Sequence, residues 1–199
     1  LVLYRSTDNA RTWTQIAAVD DSARLVDNGF LYQAPNGDLL LAGRNHVTGS
    51  SYKISQWRSL DKGVSWQREA DIATAGAGDK GLWEPSYYSV GDQTVVMWSD
   101  ETVSGFSQVL SRRISTDNGK TWGERQTVVS DGANGRPGMQ SVIKMSNGAY
   151  MMAYEVCGTR NCANYVKTSG NGLDWGDGLG SPIPGHTCGP SLAALSDGR

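Results

Sequence analysis

Two glutamates of this chain sit where a carboxylate could do chemistry. Glu84 stands between Trp83 and Pro85 at the head of a strand-like segment, and Glu155 closes the apolar run Tyr150-Met151-Met152-Ala153-Tyr154. Two carboxylates brought together can cleave a glycosidic bond, one protonating the leaving oxygen while the other attacks carbon or activates water. Apolar neighbours suit the proton donor, because burial disfavours its charged form and raises its pKa. The plain alternative is that each glutamate only hydrogen-bonds backbone at a strand end. What separates the two readings is whether the fold brings the pair together.

The elements that must do so are announced by a repeat. Ser6-Thr7-Asp8-Asn9-Ala10-Arg11-Thr12-Trp13 returns as Ser59-Leu60-Asp61-Lys62-Gly63-Val64-Ser65-Trp66 and as Ser115-Thr116-Asp117-Asn118-Gly119-Lys120-Thr121-Trp122. A worn copy, Thr168-Ser169-Gly170-Asn171-Gly172-Leu173-Asp174-Trp175, follows, and the tryptophans step by 53, 56 and 53 positions. Hairpin signals at Asn36-Gly37, Gly91-Asp92, Asn147-Gly148 and Asp197-Gly198 fall in register between the copies. The motif reads as a turn between antiparallel strands. Its Asp accepts backbone N–H groups, glycine supplies positive φ, and Trp covers the turn. Asp8, Asp61 and Asp117 are therefore read as structural Asp-box residues, since they recur once per unit and an active site needs one set.

Each unit reads as four strands. They are expected at 29–35, 38–44, 52–58 and 67–72, then at 82–90, 94–99, 107–114 and 124–129. The last complete set is expected at 140–145, 149–155, 164–168 and, weakly, 181–183. The outer part of a blade precedes these, and a single inner strand is expected at 191–195. Tandem units of this kind indicate an all-β fold, a β-propeller of four-stranded antiparallel blades. Three full blades with partial flanking ones cannot close a ring, so residues 1–199 read as one propeller domain, incomplete at both ends.

Composition agrees and removes other classes. The chain has 25 Gly, seven Trp and eight Tyr against two Phe, which suits many short strands joined by turns. A net charge of −2 with no basic cluster argues against a nucleic-acid or anionic-membrane partner. No apolar run approaches the roughly 20 residues that span a bilayer. Of three cysteines, Cys157 and Cys162 flank a short polar stretch and are expected to form a local disulfide, with free thiols as the alternative; Cys188 is left over. With only His46 and His186 available, the spacing fits no common zinc pattern.

Antiparallel order puts the start of each first strand and the end of each second strand on one rim, opposite the Asp-box turns. A ligand site on that rim would draw on Asn28, Arg44, Asn45, Trp83, Trp98, Asp100, Arg136 and Tyr154, a set rich in amides, aromatics and charge. Glu84 and Glu155 fall on the same rim. His46 reads as a surface or binding residue rather than a base, and Glu101 as a substrate contact or a solvated loop residue.

The segments Leu82-Trp83-Glu84-Pro85, Trp98-Ser99-Asp100-Glu101, Arg136-Pro137-Gly138-Met139 and Tyr154-Glu155-Val156-Cys157-Gly158 resemble, in order, those of the fungal and bacterial exo-α-1,5-L-arabinanases. These form glycoside hydrolase family 93, six-bladed propellers of the sialidase-like superfamily. The resemblance implies catalysis by Glu84 and Glu155, assigned as acid/base and nucleophile respectively with the reverse assignment as the alternative, in a secreted, monomeric enzyme. It implies retaining hydrolysis that releases arabinobiose from linear arabinan, with a polysaccharide or oligosaccharide substrate and no cofactor or metal. The first inner strands and last blades of that family are absent here. A sialidase, and a non-catalytic Asp-box propeller binding carbohydrate or protein, are the competing readings.

Overall fold

The computed structural model describes residues 1–76 and 80–195, and it contains strands and turns only. A two-stranded sheet of β1 (Val2–Arg5) and β2 (Thr14–Ala18) comes first. Three four-stranded antiparallel sheets follow. The first is β3 (Leu25–Gln33), β4 (Leu39–Val47), β5 (Ser51–Ser59) and β6 (Gln67–Thr74). The second is β7 (Leu82–Val90), β8 (Gln93–Asp100), β9 (Val109–Ser115) and β10 (Gln126–Val129). The third is β11 (Arg136–Lys144), β12 (Tyr150–Cys157), β13 (Ala163–Ser169) and β14 (Ser181–Thr187). In each, spatial order equals chain order, the meander of a propeller blade.

The sheets stack face to face, and period-two alternation assigns each residue its core. Tyr87, Val96 and Trp98 pack toward the β3–β6 sheet with Leu40, Ala42 and Ile54. Their neighbours Tyr88, Val95 and Met97 pack the other way, with Met152, Tyr154 and Val156. The second strands β4 and β8 are buried along most of their length, which explains why their sequences fail to alternate in polarity.

The expected strands are all present except one. The weak strand near 181–183 extends to Thr187. Residues 191–195, expected as an inner strand, pair with no strand among the described residues. They run irregularly along β11 and β12, where the Leu192 N–H reaches the Ser141 hydroxyl at 3.1 Å. The expected turn at Asp197-Gly198 lies outside the described residues.

The aspartate-centred turns form as the sequence predicts. Asp61 Oδ1 accepts the N–H groups of Val64 and Ser65 at 3.1 and 2.9 Å, and Oδ2 accepts the Ser65 hydroxyl at 2.6 Å. Asp8 and Asp117 repeat the arrangement within 0.1 Å. In the worn copy Asn171 takes the place of Asp and accepts Leu173 and Asp174 N–H at 2.9 and 2.8 Å. These donors, the side-chain hydroxyl first, hold the Asp8 and Asp61 carboxyls down at about 2. The turns also tie successive sheets together. Arg58 and Gln56 donate to the Asn118 and Gly119 carbonyls at 2.9 and 2.7 Å, and Tyr88 donates to the Gly172 carbonyl at 2.9 Å. Gly119 has φ +80°, and a Cβ there would lie 2.8 Å from Leu40, so no other residue fits without displacement.

Candidate active site

On the opposite rim, the first strand of each four-stranded sheet carries a β-bulge at the same place. The register slips between Asp27 and Phe30, between Trp83 and Ser86, and between Gly138 and Ser141. The first bulged residue in each is non-glycine with positive φ: Asn28 (48°), Glu84 (43°) and Met139 (51°). Such a conformation costs on the order of 1–3 kcal/mol and clusters at functional sites. Glu84 is the more constrained for preceding a proline, which crowds the residue before it. A bulge re-aims its side chain relative to the pleat, so one backbone device presents three different side chains to one rim.

The residue before each bulge faces a partner on the second strand: Asp27 faces Arg44, Trp83 faces Ser99, and Gly138 faces Glu155. Glu84, on the bulge of one sheet, and Glu155, on the second strand beside the bulge of the next, thus line one cleft of about 290 Å³ with Trp83, Gln108, Arg136 and Cys157. Gly138 lies between them. A Cβ built on it would meet Gln108 at 2.9 Å, Ser99 Oγ at 3.2 Å and the Glu84 carboxylate at 3.7 Å, while its backbone pairs with Glu155. The cleft depends on that missing side chain. A larger groove of about 510 Å³, beside Tyr4, Trp13 and Trp66, contains no carboxylate.

The two carboxyls have different surroundings. Burial pushes the Glu84 pKa up, and the negative charge of Glu155 adds to the rise. The Ser99 hydroxyl at 2.7 Å, the Met139 N–H and the charge of Arg44 pull it part of the way back. Glu155 Oε2 accepts the Gly189 N–H at 2.8 Å, and its other oxygen lies 3.6 Å from the Cys157 sulfur. Cys157 is joined to Cys162, as expected, which closes the chain just beyond Glu155. Cys188 is free and exposed; its N–H donates to the Cys162 carbonyl at 2.9 Å, which fixes the segment that brings Gly189 to Glu155.

The remaining expected ligand contacts divide. Trp83 and Arg136 line the cleft. Arg136 donates to Gln108 Oε1 at 2.8 Å and to the Ser107 hydroxyl at 3.0 Å, and is ion-paired with Glu101. Arg44 lies over the Trp83 ring at 4.5 Å and is gripped by Asp27 at 2.6 and 2.5 Å. Asn28 is exposed on the rim, outside the cleft lining.

Five expectations are corrected. Trp98 and Tyr154 are fully buried opposite their bulges, inside the two inter-sheet cores, and the Tyr154 hydroxyl is bonded to the Leu179 carbonyl. Asp100 is buried and accepts the Thr102 N–H and hydroxyl at 2.9 and 2.6 Å, holding the loop after β8. Asn45 is buried between Asp21, Ser55 and Arg24. All four support the rim from beneath and are closed to a ligand. His46 is likewise buried, stacked on Tyr52 at 5.6 Å, with its Nε2 3.3 Å from Asp27. Glu101 holds the Gly81 N–H at 2.7 Å as well as Arg136. Gln108, Ser99, Gly138 and Gly189 complete the site and were not singled out from sequence. Their signal is faint, because small and amide residues acquire meaning here only through the neighbouring sheet.

An arc of four-stranded antiparallel meanders with a functional rim at the inner strands is the β-propeller architecture. Solved structures agree. The chain is similar to a Penicillium chrysogenum α-L-arabinanase complexed with arabinobiose, with a TM-score of 0.82 and 26% identity over 100% of this chain and 60% of that one. It is also similar to the glycoside hydrolase family 93 α-L-arabinofuranosidase of Fusarium graminearum with arabinobiose, with a TM-score of 0.80 and 23% identity over 92% of this chain and 58% of that one. A Hadza microbial sialidase shares the fold more distantly, with a TM-score of 0.53 and 18% identity over 72% of this chain and 34% of that one. The chain spans about 60% of the length of the first of these structures. No protein-family model and no curated protein matches it.

Proposed function

We propose that this chain carries the catalytic pair of a retaining glycoside hydrolase that cleaves α-1,5-linked L-arabinan from the non-reducing end and releases arabinobiose. The observation that supports this most is the shared cleft of Glu84 and Glu155, in which burial and the neighbouring charge favour the protonated form of Glu84. Glu84 is then the proton donor. Glu155 attacks the anomeric carbon as the glycosidic oxygen takes the Glu84 proton and leaves; water, deprotonated by Glu84, then releases the sugar from Glu155. The carboxyl separation expected for this sequence is about 5–5.5 Å. The likeness to two structures that hold arabinobiose supports the substrate class.

The sialidase reading needs arginines free to receive a carboxylate, and Arg44 and Arg136 are both already paired with acids. A disulfide is compatible with a secreted protein acting as a monomer on extracellular polysaccharide. The test is hydrolysis of debranched arabinan and of a sialoside by the full-length protein, with the anomer of the first product followed by NMR. Retained configuration and arabinobiose are expected. An inverted product overturns the mechanism, and cleavage of the sialoside alone overturns the substrate.

A further inference from the structure

We propose that Gln140, on the sheet next to the one bearing Glu84, is a positioning residue that holds Glu84 in its proton-donating pose. The inference rests on the reading of Glu84 as the acid. Glu84 occupies a left-handed backbone conformation, φ +43°, ahead of Pro85. Both features push the peptide to rotate away, which would swing the carboxyl out of the cleft. Nothing within the bulge resists that rotation, because Pro85 has no N–H with which to pair.

The restraint comes from the neighbouring sheet. Gln140 Nε2 donates to the Glu84 carbonyl at 2.7 Å and lies 3.1 Å from the Ser86 hydroxyl, so one amide group brackets Pro85 on both sides. Gln140 is itself the second bulged residue of β11, directly after Met139. The bulge of one sheet therefore clamps the bulge of the next through the Glu84 carbonyl and the Ser86 hydroxyl. Gln140 is 5% exposed, and its Oε1 is buried with no partner among the described residues. The Glu84 carbonyl requires the N–H side of the amide, and the structure tolerates an unsatisfied acceptor to supply it.

Acid positioning has a signature that packing lacks. A leaving group that departs as a stable anion needs no proton, so misplacing the acid harms poor leaving groups and spares good ones. In the full-length protein, Gln140→Met should lower kcat on linear arabinan about 10–100-fold with KM unchanged, the scale of a displaced catalytic group. The loss should vanish in kcat/KM on a dinitrophenyl arabinobioside, which reports only the step that expels the leaving group; kcat there also includes the attack of water, for which Glu84 is the base. Gln140→Asn, which keeps the amide but withdraws it by one methylene, should show the same pattern and guards against misfolding of the first variant. An equal loss of kcat/KM for every leaving group, or wild-type kcat on arabinan per folded molecule, overturns the inference. Glu84→Gln is assayed in parallel. If it is inert while both Gln140 variants behave as wild type, only the role of Gln140 fails; if it turns over arabinan normally, the role of Glu84 fails and the role of Gln140 with it.

Discussion

The two rims of this molecule are built by opposite uses of repetition. On the turn rim, the same aspartate makes the same three hydrogen bonds in Asp8, Asp61 and Asp117. On the bulge rim the backbone repeats but the side chains do not: Asn28 with Arg44, Glu84 with Ser99, Met139 with Glu155. Repeated side chains mark what every blade needs in order to stand. Side chains that differ on a repeated backbone mark what the molecule needs only once.

The strongest way to break this contrast is to alter both rims and compare. Glu155→Gln and Glu84→Gln should each lower kcat on arabinan by at least about 10²–10⁴-fold, with an unchanged melting temperature. Normal turnover of either variant removes the chemistry from the bulge rim. Gly138→Val places two methyls among Gln108, Ser99 and Glu84, and should cost about 10²-fold in kcat, read on correctly folded protein. A milder change is Ser99→Ala. Ser99 donates to the Glu84 carboxylate and so favours its charged form. Its loss should raise that pKa further and shift the alkaline limb of kcat/KM upward by up to about one pH unit. A shift toward acid would contradict the assignment of that limb to Glu84.

Asp61→Ala should leave kcat of the folded fraction unchanged and lower the melting temperature. A collapse of kcat at constant melting temperature would end the distinction between the rims. The turn carboxyls also predict an acid limit. Because the folded pKa of Asp8 and Asp61, about 2, lies below the unfolded value, their stabilisation is fully present above about pH 4. It fades as pH falls toward 2, and melting followed from pH 5 to pH 2 should show Asp61→Ala and the parent protein converging.

The turn rim is legible in the sequence almost whole, the bulge rim only in part. The turns are local: Ser59, Asp61, Gly63, Ser65 and Trp66 interact within eight residues, so the motif carries its own geometry. The bulges are not. Asn28-Gly29 has turn chemistry, but Glu84-Pro85 and Met139-Gln140 have no shared composition that would reveal a common backbone kink. The period-two pleat explains the corrected residues. One step along β8 separates Trp98, in the core, from Ser99, on Glu84, and one step along β12 separates Tyr154 from Glu155. Locating the rim was possible from strand order; choosing the face at a strand end required the register.

At the turn rim the bonds from sheet side chains to turn carbonyls run one way along the chain, although Tyr87 donates in reverse to Gln56 Oε1 at 2.8 Å. Arg5 donates to the Lys62 carbonyl, Arg58 to Asn118, Tyr88 to Gly172 and Arg112 to Leu173, so the donors of each sheet belong to the turn that is made after it. On a ribosome this ordering matters. A sheet emerging from the exit tunnel already displays the donors on which the next turn will settle, and each later sheet has a finished template behind it. Growth by stacking onto the preceding unit is expected of chains whose repeats contact only their neighbours. Arrested nascent chains long enough to carry Ser130 clear of the exit tunnel should protect the Asn118 turn from proteolysis, and Arg58→Ala should delay that protection to longer chains; equal protection in both would show that the order of synthesis plays no part.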